Sequence, residues 1–401
     1  MKLVEINSVE FGSTGKIARQ ITDLANKNGI DAYFAYAKSR RTSKIFGGKK
    51  QNEKDILIGS IAGKIMHEIL ARLTGLELHF SFFATKRFVH NLKKIKPDIV
   101  HLHNIHGWYL NVPILFKYFK KNNIKVVWTL HDCWSFTGHC PHFELAKCNK
   151  WKTSCFNCPL YKNYPYSIFD NSRKMHNFKK KWFTYLDSVV LVTPSKWLAN
   201  LIHESFLNKY PVRIINNGID LTIFKKTNSN FRKKYNISND IILLGGVAMP
   251  WSTKKGLDYF IKLANVLPNN YQIILVGTDE KVDKILPKNV ISIHKTNNQS
   301  ELAEAYTAFD IYINPTLEDN FPTVNIESIA CNTPVITFNT GGSPECIDDN
   351  SGIVVPKGNF DKLLNAIIKF DFKKYRKCNL SSKKFNKDDK FLEYINLFKE
   401  L

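Results

Sequence analysis

Short continuous apolar runs, each followed by a longer amphipathic stretch, recur along the whole chain, and this alternation constrains the fold more than any other feature. In the first half the runs are KLVEINS, DAYFAYA, DIVHLHN, KVVWTLHD and SVVLVTPS; in the second they are IILLGGVA, QIILVGT, VISIHK, IYINPT and PVITFNT. Helical patterns such as KGLDYFIKLANVL and QSELAEAYTAFD lie between them. Val/Ile/Leu runs separated by helices predict parallel strands covered on both faces. A chain of 401 residues also exceeds what one hydrophobic core usually supports. The two sets therefore predict an α/β protein of two doubly wound, Rossmann-like domains. The seam is expected near YPVRIINNGIDLTIF, where Asn216, Asn217 and Gly218 supply turn chemistry. The predicted domains are residues 1–210, with a Cys-rich insertion at 133–165, and residues 211–385, followed by a helix at 386–401.

Lys and Arg exceed Asp and Glu by 58 − 35 = +23. Such an excess suits anionic partners, namely nucleic acid, anionic lipid or phosphate-bearing small molecules; a solubilising lysine-rich surface explains it equally well. No run approaches the roughly 18 to 20 apolar residues of a membrane-spanning helix, and the chain passes from Met1 and Lys2 straight into LVEINS. The expectation is a cytoplasmic protein without a signal peptide or membrane span. Five of the eight cysteines fall between Cys133 and Cys158, and in a reducing compartment they are not expected to form disulfides.

In open parallel sheets ligands bind beyond the carboxyl ends of the strands, so the loops there hold the candidate chemistry. After the first run, EFGSTGKIARQI places Gly12 and Gly15 just before a helix, a turn that lets backbone approach a ligand. His131 and Asp132 follow KVVWTL, near the His101 and His103 pair of HLHN. Cys140, Cys148, Cys155 and Cys158 end in a C-x-x-C pair and could close a structural zinc site; buried small residues or a redox pair are the alternatives. In the second half, Lys254 and Lys255 precede a helix, where they can neutralise a phosphate. TLEDNFPTVNIES sets Asp319 before a helix opened by Pro322 at its first position, with Glu327 inside; carboxylates so placed suit sugar hydroxyls. TFNTGGSPE adds Gly341 and Gly342 at a strand end.

Together GSTGKIA, TLHD, NGID, KKG, DNFP with its later Glu, CNTPVI and GGSPE resemble, in order and over nearly the whole chain, the retaining family-four glycosyltransferases of the GT-B fold. The cysteine-bearing insertion is similar to a bacterial subgroup that builds capsular, lipopolysaccharide O-antigen or exopolysaccharide units. The resemblance implies two domains facing across a cleft, a C-terminal helix that crosses back to the first domain, and transfer of a hexose from a nucleotide diphosphate sugar. It implies Glu327 at the ribose, Asp319 and His131 at the donor sugar, and Lys255 with Lys254 at the diphosphate. Gly12 to Gly15 would serve the diphosphate and acceptor side, and Phe321 belongs to the same donor-binding motif. No cofactor is required for the chemistry it implies. The expected acceptor is a lipid-linked, polyprenyl-diphosphate glycan, with the protein peripheral on an anionic membrane.

Two departures stand out. Met249 holds the place of an Arg usual six residues before the Lys of the KG pair, and Asp319-Asn320-Phe321-Pro322 replaces Glu-Gly-Phe-Gly, so the backbone donor at the last position is lost. Residues 56–95, apolar with lysine-rich edges, are read either as the membrane-facing surface or as helices buried on the first sheet. The alternatives in function are a sugar-nucleotide epimerase or phosphorylase of the same fold, and a basic nucleic-acid-binding protein; the last lacks an aromatic-basic recognition motif.

Overall fold

The computed structural model describes residues 1–38 and 52–401. They divide into two compact units, Met1–Ile215 with Phe391–Leu401, and Asn216–Lys390. Each is a doubly wound, parallel α/β sheet.

The first unit has strands β1 (Lys2–Asn7), β2 (Asp31–Ala37), β3 (Asp55–Ile58), β4 (Ile99–Leu102), β5 (Lys125–Thr129), β6 (Val189–Thr193) and β7 (Val212–Ile214). Their order is β3-β2-β1-β4-β5-β6-β7, all parallel. The second unit has β8 (Ile242–Val247), β9 (Tyr271–Val276), β10 (Val290–Ile293), β11 (Ile311–Asn314), β12 (Val335–Phe338) and β13 (Gly352–Val355), in the order β10-β9-β8-β11-β12-β13. Chain direction across each sheet reverses once, between β1 and β4 and between β8 and β11. Those reversals open the crevices in which doubly wound sheets hold ligands.

Strand alternation decides what lies on each face of the first sheet. Val4 and Ile6 of β1 join one core with Val100 and Leu102, whereas Leu3 joins the opposite core with Ile99, Val127 and Val192. That second face is covered by Ile17, Ile21 and Ala25 of the helix Gly12–Lys27 and by Phe391, Tyr394, Ile395 and Phe398 of the helix Lys387–Glu400. With a side-chain period of two, Glu5, His101, Thr129 and His131 fall on this same face.

Two details differ from expectation. Pro322 is the N-cap of the helix Thr323–Ala330 rather than its first turn, because its ψ of 109° keeps it extended. Residues 56–95 are not wholly helical: DILI pairs with β2 as edge strand β3, before the helices Ile61–Thr74 and Phe82–Ile95.

Candidate functional site

In the second unit the loops after β8 and β11 meet through their backbones. Leu317 N–H donates to the Lys254 carbonyl at 2.7 Å, and the Thr316 hydroxyl donates to the same oxygen at 3.2 Å. Gly256, at φ 79°, ends the turn Thr253–Lys255; a Cβ there would stand 2.3 Å from the Pro315 carbonyl oxygen, so only glycine fits. This seam aligns two lysines with two acids. Lys254 Nζ lies 2.6 Å from Glu318 Oε2, and Lys255 Nζ 2.6 Å from Asp319 Oδ2.

Glu327 projects from the helix Thr323–Ala330 and accepts a hydrogen bond from the buried Tyr306 hydroxyl at 3.1 Å. The Tyr306 and Tyr312 rings meet edge to face at 5.4 Å. Burial, then the charge of Glu327 and that of Asp319, push the Tyr312 phenol well above its usual range. Both motif carboxylates therefore bear on one phenol. Phe321 is buried beside Phe385, so its backbone rather than its ring is what it can offer a ligand.

A buried polar chain that sequence reasoning missed holds the motif helix. Asn314 Nδ2 donates to Asn325 Oδ1 at 2.7 Å, Asn325 Nδ2 to Ser343 Oγ at 2.9 Å, and Ser343 meets Thr337 Oγ1 at 2.7 Å. It links β11, β12 and the loop after Gly341 and Gly342 to that helix. Fully satisfied networks of this kind specify one arrangement.

In the first unit Gly12, at φ 74°, opens the helix Gly12–Lys27, whose N-cap Phe11 carries no side-chain acceptor. A Cβ on Gly15 would lie 2.6 Å from the Glu10 carbonyl carbon, so the helix start rests directly on the loop. Asn7 ties this loop to the end of β4: its Nδ2 donates to the Val9 carbonyl at 2.8 Å, and its Oδ1 accepts from Asn104 N–H at 3.1 Å.

His131 and Asp132 point into different partnerships. His131 Nε2 lies 3.0 Å from His103 Nδ1, and His103 Nε2 2.9 Å from Glu5 Oε2. His101 Nδ1 reaches the same Oε2 at 2.8 Å, with its Nε2 2.8 Å from Thr129 Oγ1. Among the described residues Glu5, His101 and His103 form a group of three His, Cys, Asp or Glu side chains whose ligand atoms all lie within 4.8 Å of one another. Burial raises the Glu5 carboxyl to about 7 and pushes His101 and His103 down to about 3 and His131 to about 4. Asp132 instead lies 3.4 Å from His106 Nε2. Burial opposes both charges, but their mutual bond prevails, raising His106 and lowering Asp132. The His101 and His103 pair was linked with His131 from the sequence, but Glu5 and His106 were not; the signal for Glu5 was an acid within the apolar first strand.

The insertion after β5 is mostly irregular. The Cys140 and Cys158 thiols share a hydrogen bond, which pushes Cys140 up and Cys158 down. Cys155 Sγ accepts from Gly138 N–H at 3.1 Å, and Cys148 packs against the main core of the unit. The buried Lys179 donates to the Trp134 carbonyl at 2.7 Å, and burial lowers it to about 8.

Residues 51–223 match the family model described as Glycosyltransferase Family 4, and residues 238–370 the model described as Glycosyl transferases group 1. The chain is a glycosyltransferase. It is similar to the putative colanic acid biosynthesis glycosyl transferase WcaC of Escherichia coli, at 24% identity with 88% of this chain and 87% of the relative covered. It is also similar to the capsular polysaccharide biosynthesis glycosyltransferase CapM of Staphylococcus aureus, at 26% identity over 38% of this glycosyltransferase and 43% of CapM. Solved structures of like fold include sucrose-phosphate synthase from Thermosynechococcus elongatus, at TM-score 0.69 and 18% identity, covering 100% of this chain and 98% of that one. Anabaena HepE in complex with UDP-glucose matches at TM-score 0.69 and 14% identity, with 100% of both chains covered.

Proposed function

We propose that this glycosyltransferase moves a hexose, with retention, from a nucleotide diphosphate sugar to a lipid-linked glycan acceptor in surface polysaccharide synthesis. The observation that carries the reading is the alignment of Lys254 and Lys255 with Glu318 and Asp319 at the switch point of the second sheet. Cations there can take a diphosphate while the carboxylates, with Glu327, take sugar hydroxyls. The sugar–oxygen bond to the diphosphate breaks as the acceptor oxygen bonds to the anomeric carbon on the same face. The acceptor proton passes to the departing phosphate. Lys255 stabilises the charge on that leaving group, a preorganised electrostatic contribution. The first unit offers His131 to the donor sugar and the Gly12 to Gly15 turn to the phosphate and acceptor side. WcaC and CapM are named for colanic acid and capsule synthesis, and HepE holds UDP-glucose, which supports both halves of the reading.

Support for a lipid acceptor comes from the helices Ile61–Thr74 and Phe82–Ile95. The first buries only His67 and Ala71 and leaves Met66, Ile69 and Leu73 about half exposed; Phe83 on the second is 82% exposed. With Lys64, Arg87 and Lys94, Met66, Phe82 and Phe83 line a cavity of about 1170 Å³. Its lining includes neither Gly12 nor His131, so it suits the lipid portion of an acceptor or the membrane itself. No described helix is long and apolar enough to cross a membrane, and the proposed location is peripheral, on the inner face. The insertion cysteines are proposed as a structural zinc site, for which their sulfurs must draw together from the present Cys140–Cys158 pairing.

A thermal-shift screen of nucleotide sugars tests the function. Stabilisation and donor hydrolysis should be lost in Glu327→Ala and Lys255→Ala; undiminished donor affinity in both overturns the assignment. Conversion of the donor without acceptor would favour an epimerase.

A further inference from the structure

Inside the first unit a buried carboxylate and three imidazoles form a continuous line. Glu5 and His101 are direct partners in the β1–β4 register, and His103 and His131 extend the same face at the ends of β4 and β5. Glu5, His101 and His103 are at most 1% exposed. Buried polar groups cost stability unless hydrogen-bonded, and here each neighbouring pair is within bonding distance.

We propose that Glu5 and His103 are positioning residues that fix the proton of His131 on Nε2 and leave the ring's lone pair on Nδ1. The convergence of two imidazoles on one carboxyl group carries the inference. His101 Nδ1 lies 3.0 Å from Glu5 Oε1 and 2.8 Å from Oε2, and His103 Nε2 lies 2.9 Å from Oε2. Above the raised range of the Glu5 carboxyl, about 7, the group is ionised and accepts from both N–H groups. His103 is then protonated on Nε2, and its Nδ1 is an acceptor. The nitrogen 3.0 Å from that acceptor is His131 Nε2, which must donate. The order of protons along Glu5, His103 and His131 follows from the first bond. It is the logic by which a buried acid orients a histidine through one ring nitrogen and so determines what the other presents.

The second branch anchors the line. His101 Nε2 is 2.8 Å from Thr129 Oγ1, which is 3.2 Å from the hydroxyl of Tyr394 on the C-terminal helix. The His101 ring also packs against Tyr394 and Phe398, with centroids at 5.2 and 5.4 Å. The C-terminal helix therefore holds the face on which the relay sits.

The inference rests on the reading of His131 as a residue that serves the donor sugar, but it can be tested apart from that reading. Long-range proton–nitrogen spectra of the full chain with ¹⁵N-labelled histidine report each ring's tautomer, and His131→Gln identifies the His131 signals. The expected wild-type form has the proton on Nε2, and Glu5→Gln or His103→Asn should change it. A proton on Nδ1, or an unchanged His131 spectrum in both folded variants, overturns the relay. With UDP-glucose as donor, Glu5→Gln should lower kcat at least about tenfold at unchanged KM, as expected of an interaction made in the transition state; a raised KM with unchanged kcat counts against positioning. If the tautomer is as expected while His131→Gln turns over normally, the relay stands and the catalytic reading of His131 falls.

Discussion

Lys255 Nζ and Asp319 Oδ2 stand 2.6 Å apart, so the cation proposed to receive the diphosphate is held by the acid proposed to receive the sugar. A diphosphate must therefore compete with a carboxylate, and donor binding exchanges one ion pair for another. Asp319→Asn removes the competitor. Free nucleoside diphosphate should bind this variant more tightly while sugar transfer falls. Lys255→Ala should weaken nucleoside diphosphate binding about 10- to 150-fold, the loss of one charged hydrogen bond of roughly 1.5–3 kcal/mol. Calorimetric titration of both variants checks the opposite signs.

The seam that aligns these pairs depends on Gly256. Its φ is 79°, and a Cβ added to it would meet the Pro315 carbonyl oxygen at 2.3 Å, which leaves no room for alanine. Gly256→Ala should cost at least about 1–2 kcal/mol from the left-handed backbone alone. Denaturant unfolding reads that cost. Donor affinity should fall in the same variant, because the Leu317–Lys254 bond that pairs the loops shifts with it.

The proton balance of the buried line predicts acid sensitivity. Burial lowers His101 and His103 to about 3 and His131 to about 4, so below the ordinary histidine range near 6.5 the unfolded chain binds these protons and the folded chain does not. Stability from these groups is present above pH 6.5 and lost as pH falls. Glu5, raised from 4.5 to about 7, acts in the opposite sense: the folded form binds its proton first as pH falls. Three histidines outweigh one acid. Stability should fall from pH 6.5 toward pH 4, each excess proton of the unfolded state contributing about 1.4 kcal/mol per pH unit. Melting temperatures across that range check it, with a shallower decline expected in a folded His103→Gln variant.

Most strands were legible because central strands of a parallel sheet are buried on both faces and are therefore dominated by apolar residues. The runs that became β1, β4, β5, β8 and β11 stand out for that reason. Edge strands need less apolar surface: DILI of β3 was absorbed into a helical reading, and VRI of β7, none of it fully buried, gave no run at all. The acidic and basic residues of the donor motif were found by spacing, but their pairing was not. Lys254 meets Glu318 only because a backbone seam joins loops more than 60 residues apart in sequence. Likewise Glu5, His101 and His103 become neighbours through sheet order and register, which no local pattern encodes.

The cysteine layer makes a prediction of composition. If the sulfurs of Cys140, Cys148, Cys155 and Cys158 close on zinc, purified protein should carry one equivalent, and Cys158→Ser should lose it together with several degrees of melting temperature. Elemental analysis decides between this and the Cys140–Cys158 thiol pair of the present structure, which needs no metal.

The apolar surface of the first unit predicts where the protein meets lipid. Phe83 is 82% exposed and sits one turn from the exposed cations Lys86 and Arg87, with Lys93 and Lys94 further along the same helix. An apolar tip ringed by cations gains from inserting into an anionic interface twice over. Burying a phenylalanine is worth roughly 1.5–3 kcal/mol, and each cation near an anionic surface about 1 kcal/mol. The two contributions separate experimentally because only the second is screened by salt. Phe83→Ser should weaken binding to phosphatidylglycerol vesicles about tenfold or more at any ionic strength. Lys86→Glu with Arg87→Glu should weaken it at low salt and matter little at high salt. Phosphatidylcholine vesicles should bind the wild type poorly, since the net +23 of the chain finds no counter-charge there. Equal sedimentation of wild type and Phe83→Ser with anionic vesicles would place the membrane contact elsewhere on the protein.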